Sequence, residues 1–208
     1  MANSSQHQLM NPQNYIDLVK TTLDALDPKA LEALIEAFHA TYEKGGTIYT
    51  MGNGGSGASA SHAAGDFLKG ASYGLDKRFR MICLNDNLPS MMAIANDIGW
   101  DHIFIEPLKN FIGPNDLVIG ISGSGNSKNV VNALEYANAQ GVTTVAMSGF
   151  KGGKIAELAT INVHAPVMDM EVTEDIHMVI FNIVKKQMMA RLMGDNPSMG
   201  STYDQRIG

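Results

Sequence analysis

His62 and Asp66 stand four residues apart, directly after the glycine-rich stretch GNGGS, Gly52–Ser56. On a helix that spacing puts an imidazole and a carboxylate on one face. Such a pair can move a proton or hold a cation, and a glycine turn before it can receive an anion on backbone N–H groups. Within that turn, Asn53, Gly54 and Ser56 are the candidate ligand contacts. A second turn, SGSGNS at Ser122–Ser127, offers more hydroxyls. Ser122, Ser124 and Ser127, with the N–H groups from Gly123 to Asn126, read as a phosphate cradle. A third group falls late in the chain, where Glu174 and Asn182 lie eight residues apart with His177 between them, roughly on one helix face.

Each group has a plainer alternative. SGSGNS could be an ordinary strand-to-helix turn capped by Ser127 or Asn126. His62 and Asp66 could be an ordinary helix pair, and Glu174 and Asp175 could simply be acids favoured by the dipole of a helix start. Two glycine turns, each following an apolar run, favour the ligand reading for the first two groups. For Glu174 the two readings stand level, and for His177 a place in the core is at least as good. Asn96 and Asp97, in AIAND, could bond sugar-like hydroxyls or cap a turn.

The elements that must position these residues alternate. Helical periodicity runs from about Pro12 to Lys44, with Asp27 and Pro28 as N-cap and first residue of a second helix. Apolar runs then fall at Thr47–Met51, Arg80–Leu84, Leu117–Ile121, Thr143–Met147 and Ile161–Ala165. Helical patterns separate them at Ser59–Lys69, Leu88–Asn96, Ile103–Phe111, Ser127–Gln140 and Lys154–Leu158, and a long helix spans about Thr173 to Met193. Strand–helix alternation with short loops predicts an α/β fold: a parallel five-stranded sheet covered by helices on both faces, a three-layer α/β/α sandwich. Ligands of such a sheet bind beyond the carboxyl ends of its strands, where both glycine turns lie. One domain is expected: residues 1–11 a flexible lead, 12–45 a helical extension, 46–193 the α/β core and 194–208 a tail.

Composition bounds the partners. The 208 residues carry a net charge of −6, which argues against direct nucleic-acid binding. The single cysteine, Cys83, cannot form an internal disulfide and suits a reducing cytosol. The first residues lack the pattern of a signal peptide, and no apolar run approaches the ~20 residues of a membrane span. A cytoplasmic protein with no membrane partner is expected. No Gly-Lys-Ser/Thr follows either glycine turn and no dinucleotide spacing is present, so no nucleotide cofactor is expected.

GNGGS before a His-bearing helix, then GISGSGNS, then GGK at Gly152–Lys154 and a late EDIH helix together resemble the sugar isomerase (SIS) domain, and within it the phosphoheptose isomerase branch. The similarity spans about residues 14 to 193. It implies a flavodoxin-like sandwich and a homotetramer assembled through the N-terminal helices, with sites between subunits. It also implies a phosphorylated sugar as substrate, held by the serines of the second turn and Ser56. The implied reaction is aldose–ketose isomerisation, as by sedoheptulose 7-phosphate isomerase in the heptose branch of cell-surface carbohydrate synthesis. In the family a histidine and a glutamate on one helix, and a glutamine and a histidine on the last, surround one zinc ion.

Carried over by position, the metal set becomes His62, Asp66, Glu174 and Asn182. Only His62 matches the family residue. A histidine, two carboxylates and an amide can hold a divalent metal, with less preference for zinc than a histidine-rich set. With the family's last histidine replaced by Asn182, Asp66 or Glu174 takes the base role and His177 the partner acid. Two alternatives follow from the same departures: a non-catalytic sugar-phosphate-binding or regulatory tetramer of the DnaA initiator-associating type, which also has asparagine at this position, or an isomerase for a different sugar phosphate.

Overall fold

The computed structural model describes residues 11–194. The expected lead and tail therefore lie outside the described residues, apart from Asn11 and Gly194. Two helices come first, α1 (Pro12–Asp24) and α2 (Pro28–Glu43). Each starts on a proline after a side-chain cap: Asn11 accepts from the Asn14 N–H at 2.8 Å, and Asp27 from the Lys29 N–H at 2.9 Å.

Five strands follow: β1 (Ile48–Gly52), β2 (Met81–Cys83), β3 (Leu117–Ser122), β4 (Thr143–Ser148) and β5 (Ile161–His164). All pair in parallel, in the order β2-β1-β3-β4-β5. Helices α3 (Gly54–Lys69), α4 (Leu88–Asp97), α5 (Ile105–Phe111), α6 (Lys128–Ala139), α7 (Gly153–Leu158) and α8 (Met170–Met193) complete the chain. Strand residues alternate between two apolar layers. Ile48, Leu117, Ile119, Val145 and Val163 join a core with α2, α3 and α8, whereas Tyr49, Met51, Val118 and Ala146 join one with α5, α6 and α7. The result is a three-layer α/β/α sandwich with an all-parallel sheet. Among the described residues, no helix is long and apolar enough to cross a membrane.

Two features of this frame place the site. The strand order reverses between β1 and β3, so the turns at their carboxyl ends flank one crevice. The second is the seam between α3 and α8. Phe67, fully buried, packs on Phe38 and Phe79 at ring centroid distances of 5.0 and 5.1 Å. That anchors one side of α3 and turns Asp66, one residue earlier, toward α8.

Candidate functional site

Asn53 follows β1 in an extended conformation, and helix α3 begins at once with Gly54 at a φ of +56°. GNGGS is thus not a loop before the helix but its first turn, so α3 starts five residues earlier than the apolar pattern predicts. Ser56 is buried within that turn. Two asparagines hold the turn in place. Asn85 donates to the Gly52 carbonyl at 2.8 Å, and Asn53 and Asn129 exchange side-chain amide hydrogen bonds at 2.9 Å in both directions. The second bond ties the end of β1 to the first turn of α6, across the switch point.

The SGSGNS turn closes the other side. Ser122 and Ser127 hydroxyls lie 3.0 Å apart, and the Ser124 hydroxyl accepts from the Asn126 N–H at 3.3 Å. Gly125, at a φ of +70°, lies against the backbone of the GGK turn, where a Cβ would overlap the Gly152 carbonyl. Ile155 N–H donates to the Gly125 carbonyl at 3.0 Å, and Lys154 N–H to the Asn126 side chain at 3.1 Å. The GGK signature therefore braces the serine turn.

Helix α8 supplies the third wall. Asp169 caps it by accepting from the Val172 N–H at 2.9 Å, and Thr173 packs its side chain on Gly123 and Gly149. Next to it, the Glu174 carboxylate rests on Gly55, so closely that a Cβ at Gly55 would overlap it. Desolvation, with the charges of Glu171 and Asp175 beside it, holds the Glu174 carboxyl above its ordinary range. A partly buried carboxylate with raised proton affinity, set against the first turn of α3, has the properties of a general base.

The structure separates the other candidates from this crevice. Helices α3 and α8 run side by side in the same direction and in step. Gly55 meets Glu174, and eleven residues on in both helices Asp66 meets Lys185, with Lys185 Nζ 2.9 Å from Asp66 Oδ2. Eleven residues of helix are ~16 Å. His62 Nε2 lies 3.5 Å from the same oxygen. Lys185 is absent from the sequence-derived candidates, yet eleven residues is three helical turns, so the period from Glu174 points to it. The same arithmetic explains Asn182: eight residues leave it about 80° around the helix from Glu174, and it is exposed.

His177 requires a correction. It is fully buried, and its Nε2–H donates to the Ser148 carbonyl at 3.1 Å, while Nδ1 is buried with no hydrogen-bond partner among the described residues. It faces the core, not the crevice, and is not the partner acid. Burial lowers its pKa to about 4, so the native imidazole is neutral. Below its ordinary value of 6.5 the unfolded chain gains a proton that the native chain refuses. Stability from this group is therefore full above that value and is lost as pH falls toward 4, by about 3 kcal/mol in total. Thermal unfolding of wild type and His177→Gln across that interval checks it: the wild type should lose stability more steeply. Asn96 and Asp97 sit at the exposed end of α4, bonded to each other at 2.7 Å. Cys83 is buried, and desolvation pushes its thiol up to about 11, which makes it inert.

The four residues carried over as metal ligands do not gather. Among the described residues, no group of three or more His, Cys, Asp or Glu side chains is placed to hold a metal. Glu174 is committed to Gly55, and Asp66 Oδ2 already faces an ammonium. These residues do not fit a resident zinc ion.

Crevice, braced serine turn and His-bearing helix now stand together on a parallel sheet of reversed order. The SIS-domain family profile matches residues 14–149. The chain belongs to the SIS-domain family, in its phosphoheptose isomerase branch. It is 36% identical to the probable phosphoheptose isomerase of Thermoplasma volcanium over 82% of this chain and 85% of that protein. It is 34% identical to the phosphoheptose isomerase of Aliarcobacter butzleri over 82% and 87%. The fold matches the structure of a phosphoheptose isomerase from Francisella tularensis with a TM-score of 0.78 at 23% identity, covering 85% of this chain and 93% of that one.

Proposed function

We propose that the protein is an aldose–ketose isomerase that interconverts sedoheptulose 7-phosphate and the matching aldoheptose 7-phosphate, for heptose biosynthesis. The observation that carries this reading is the Glu174 carboxylate, held with raised proton affinity against the first turn of α3, one residue after Thr173, which packs on Gly123 of the serine turn. Family membership supports the substrate class. The phosphate enters the cradle of Ser122, Ser124 and Ser127, with N–H groups from Gly123 to Asn126, while Asn53, Gly54 and Ser56 line the opposite wall. Glu174 removes a proton from C1 of the ketose as the C2 oxygen takes one up, giving the enediol. A proton then reaches C2 as the C1 hydroxyl proton leaves, giving the aldehyde at C1 and a hydroxyl at C2. Backbone N–H groups at the start of α3 favour the enediolate charge that develops. On this reading the protein works in the cytoplasm as a homotetramer, with α1 and α2 serving assembly, and Asn96 and Asp97 reaching sugar hydroxyls across the assembled site.

The test is turnover of sedoheptulose 7-phosphate by the purified protein. Formation of the aldose supports the reading; thermal stabilisation by the sugar phosphate without turnover would replace it with a binding protein. A further prediction separates binding from chemistry. Ser122→Ala and Ser127→Ala should each raise KM by roughly tenfold with kcat little changed, the value of about one charge-assisted hydrogen bond. A fall in kcat with unchanged KM would place these hydroxyls at the reacting carbons instead.

A further inference from the structure

The seam below the crevice holds a cluster that the isomerase reading does not use. Asp66 Oδ2 receives two cationic or potentially cationic groups, Lys185 Nζ at 2.9 Å and His62 Nε2 at 3.5 Å. The Lys185 side chain is 20% exposed and Asp66 30%, so this is a partly desolvated pair, unlike the more exposed ion pairs Lys20–Asp17 or Lys154–Glu135. The far end of the Lys185 side chain, Cε and Nζ, also lies over Gly70 at the end of α3, in space that a Cβ there would occupy. A divalent ion bound through Asp66 Oδ2 would be held beside the Lys185 ammonium, with like charges repelling across a partly dry contact. The remaining donors carried over from the family do not compensate: Glu174 lies three helical turns away and Asn182 offers a neutral, exposed amide.

We propose that Lys185 is the resident cation of this seam: its ammonium holds Asp66 in the place where the family resemblance puts a divalent metal, and the protein carries no such metal. The proposal takes its metal expectation from the family, but its test needs no substrate, so it can fail or succeed independently of the isomerase reading.

The experiment is zinc retention, measured by elemental analysis and native mass spectrometry after equilibration in zinc-buffered solution and dialysis. Full-length wild type should retain well under about one zinc per chain. Lys185→Met keeps the length and apolar stem of the side chain and removes the charge; it should bind zinc at least about tenfold more tightly, and His62→Ala in that background should abolish the gain. Lys185→Arg, which keeps the cation, should behave as wild type. Wild type that retains about one zinc per chain, lost in His62→Ala, overturns the proposal. So does a folded Lys185→Met protein with no gain in zinc affinity, because something other than the ammonium would then be excluding the metal.

Discussion

Glu174→Gln lowers the isomerisation rate by roughly 10²–10⁴-fold while leaving sugar-phosphate binding and folding nearly unchanged. That range is the usual worth of a positioned general base. The amide has the shape of the carboxylate, so it still fits against Gly55, and the family resemblance places a glutamine at this position, so the fold accepts one. What disappears is the lone pair that takes the proton from C1. A pH profile gives an independent check. Because desolvation raises Glu174 above its ordinary value of 4.5, the acid limb of kcat/KM should fall above that pH, and Glu174→Gln should remove the limb together with the rate. An unchanged rate would take the base role away from Glu174.

Gly125→Ala destabilises the protein by about 2–5 kcal/mol and raises KM sharply. Two costs combine. The backbone sits at a φ of +70°, where an L side chain costs about 1–3 kcal/mol. In addition the new Cβ would overlap the Gly152 carbonyl, and backbone cannot give way as a flexible side chain does. Relieving the overlap separates the serine turn from the GGK turn and breaks the Ile155 and Lys154 hydrogen bonds that brace it. Gly54→Ala is the matched control: its φ of +56° carries the same backbone cost, but no atom of the described residues outside the adjoining backbone lies within 4 Å of the added methyl. Urea unfolding should show Gly125→Ala well below Gly54→Ala; equal losses would mean that the brace carries no energy of its own.

The strands were readable because a parallel sheet covered on both sides needs continuous apolar runs, and each of the five runs became a strand, within two residues at either end. The SGSGNS turn was readable for a related reason, since only glycines and small polar residues fit a backbone that meets both the GGK turn and α8. The start of α3 was not. Glycine is the poorest helix former after proline, so GNGGS reads as loop, and only the packing of Glu174 and Asn85 around it makes it helical. His177 was misread because helical spacing gives a face relative to its neighbours and says nothing of which face meets the core. Lys185 was missed for the opposite reason. A lysine late in a helix looks like solvated surface or a dipole partner, and its pairing with Asp66 exists only because α3 and α8 run in step, which a one-dimensional pattern does not contain.

The most direct measurement of the central claim is solvent exchange during turnover. With sedoheptulose 7-phosphate in D2O, proton transfer through Glu174 predicts deuterium at C2 of the aldose formed and at C1 of the recovered ketose, seen by NMR, with both signals lost in Glu174→Gln. Aldose formed by Glu174→Gln at the wild-type rate and with the wild-type deuterium content would contradict the account, because the proton would then move between the carbons without the Glu174 carboxylate.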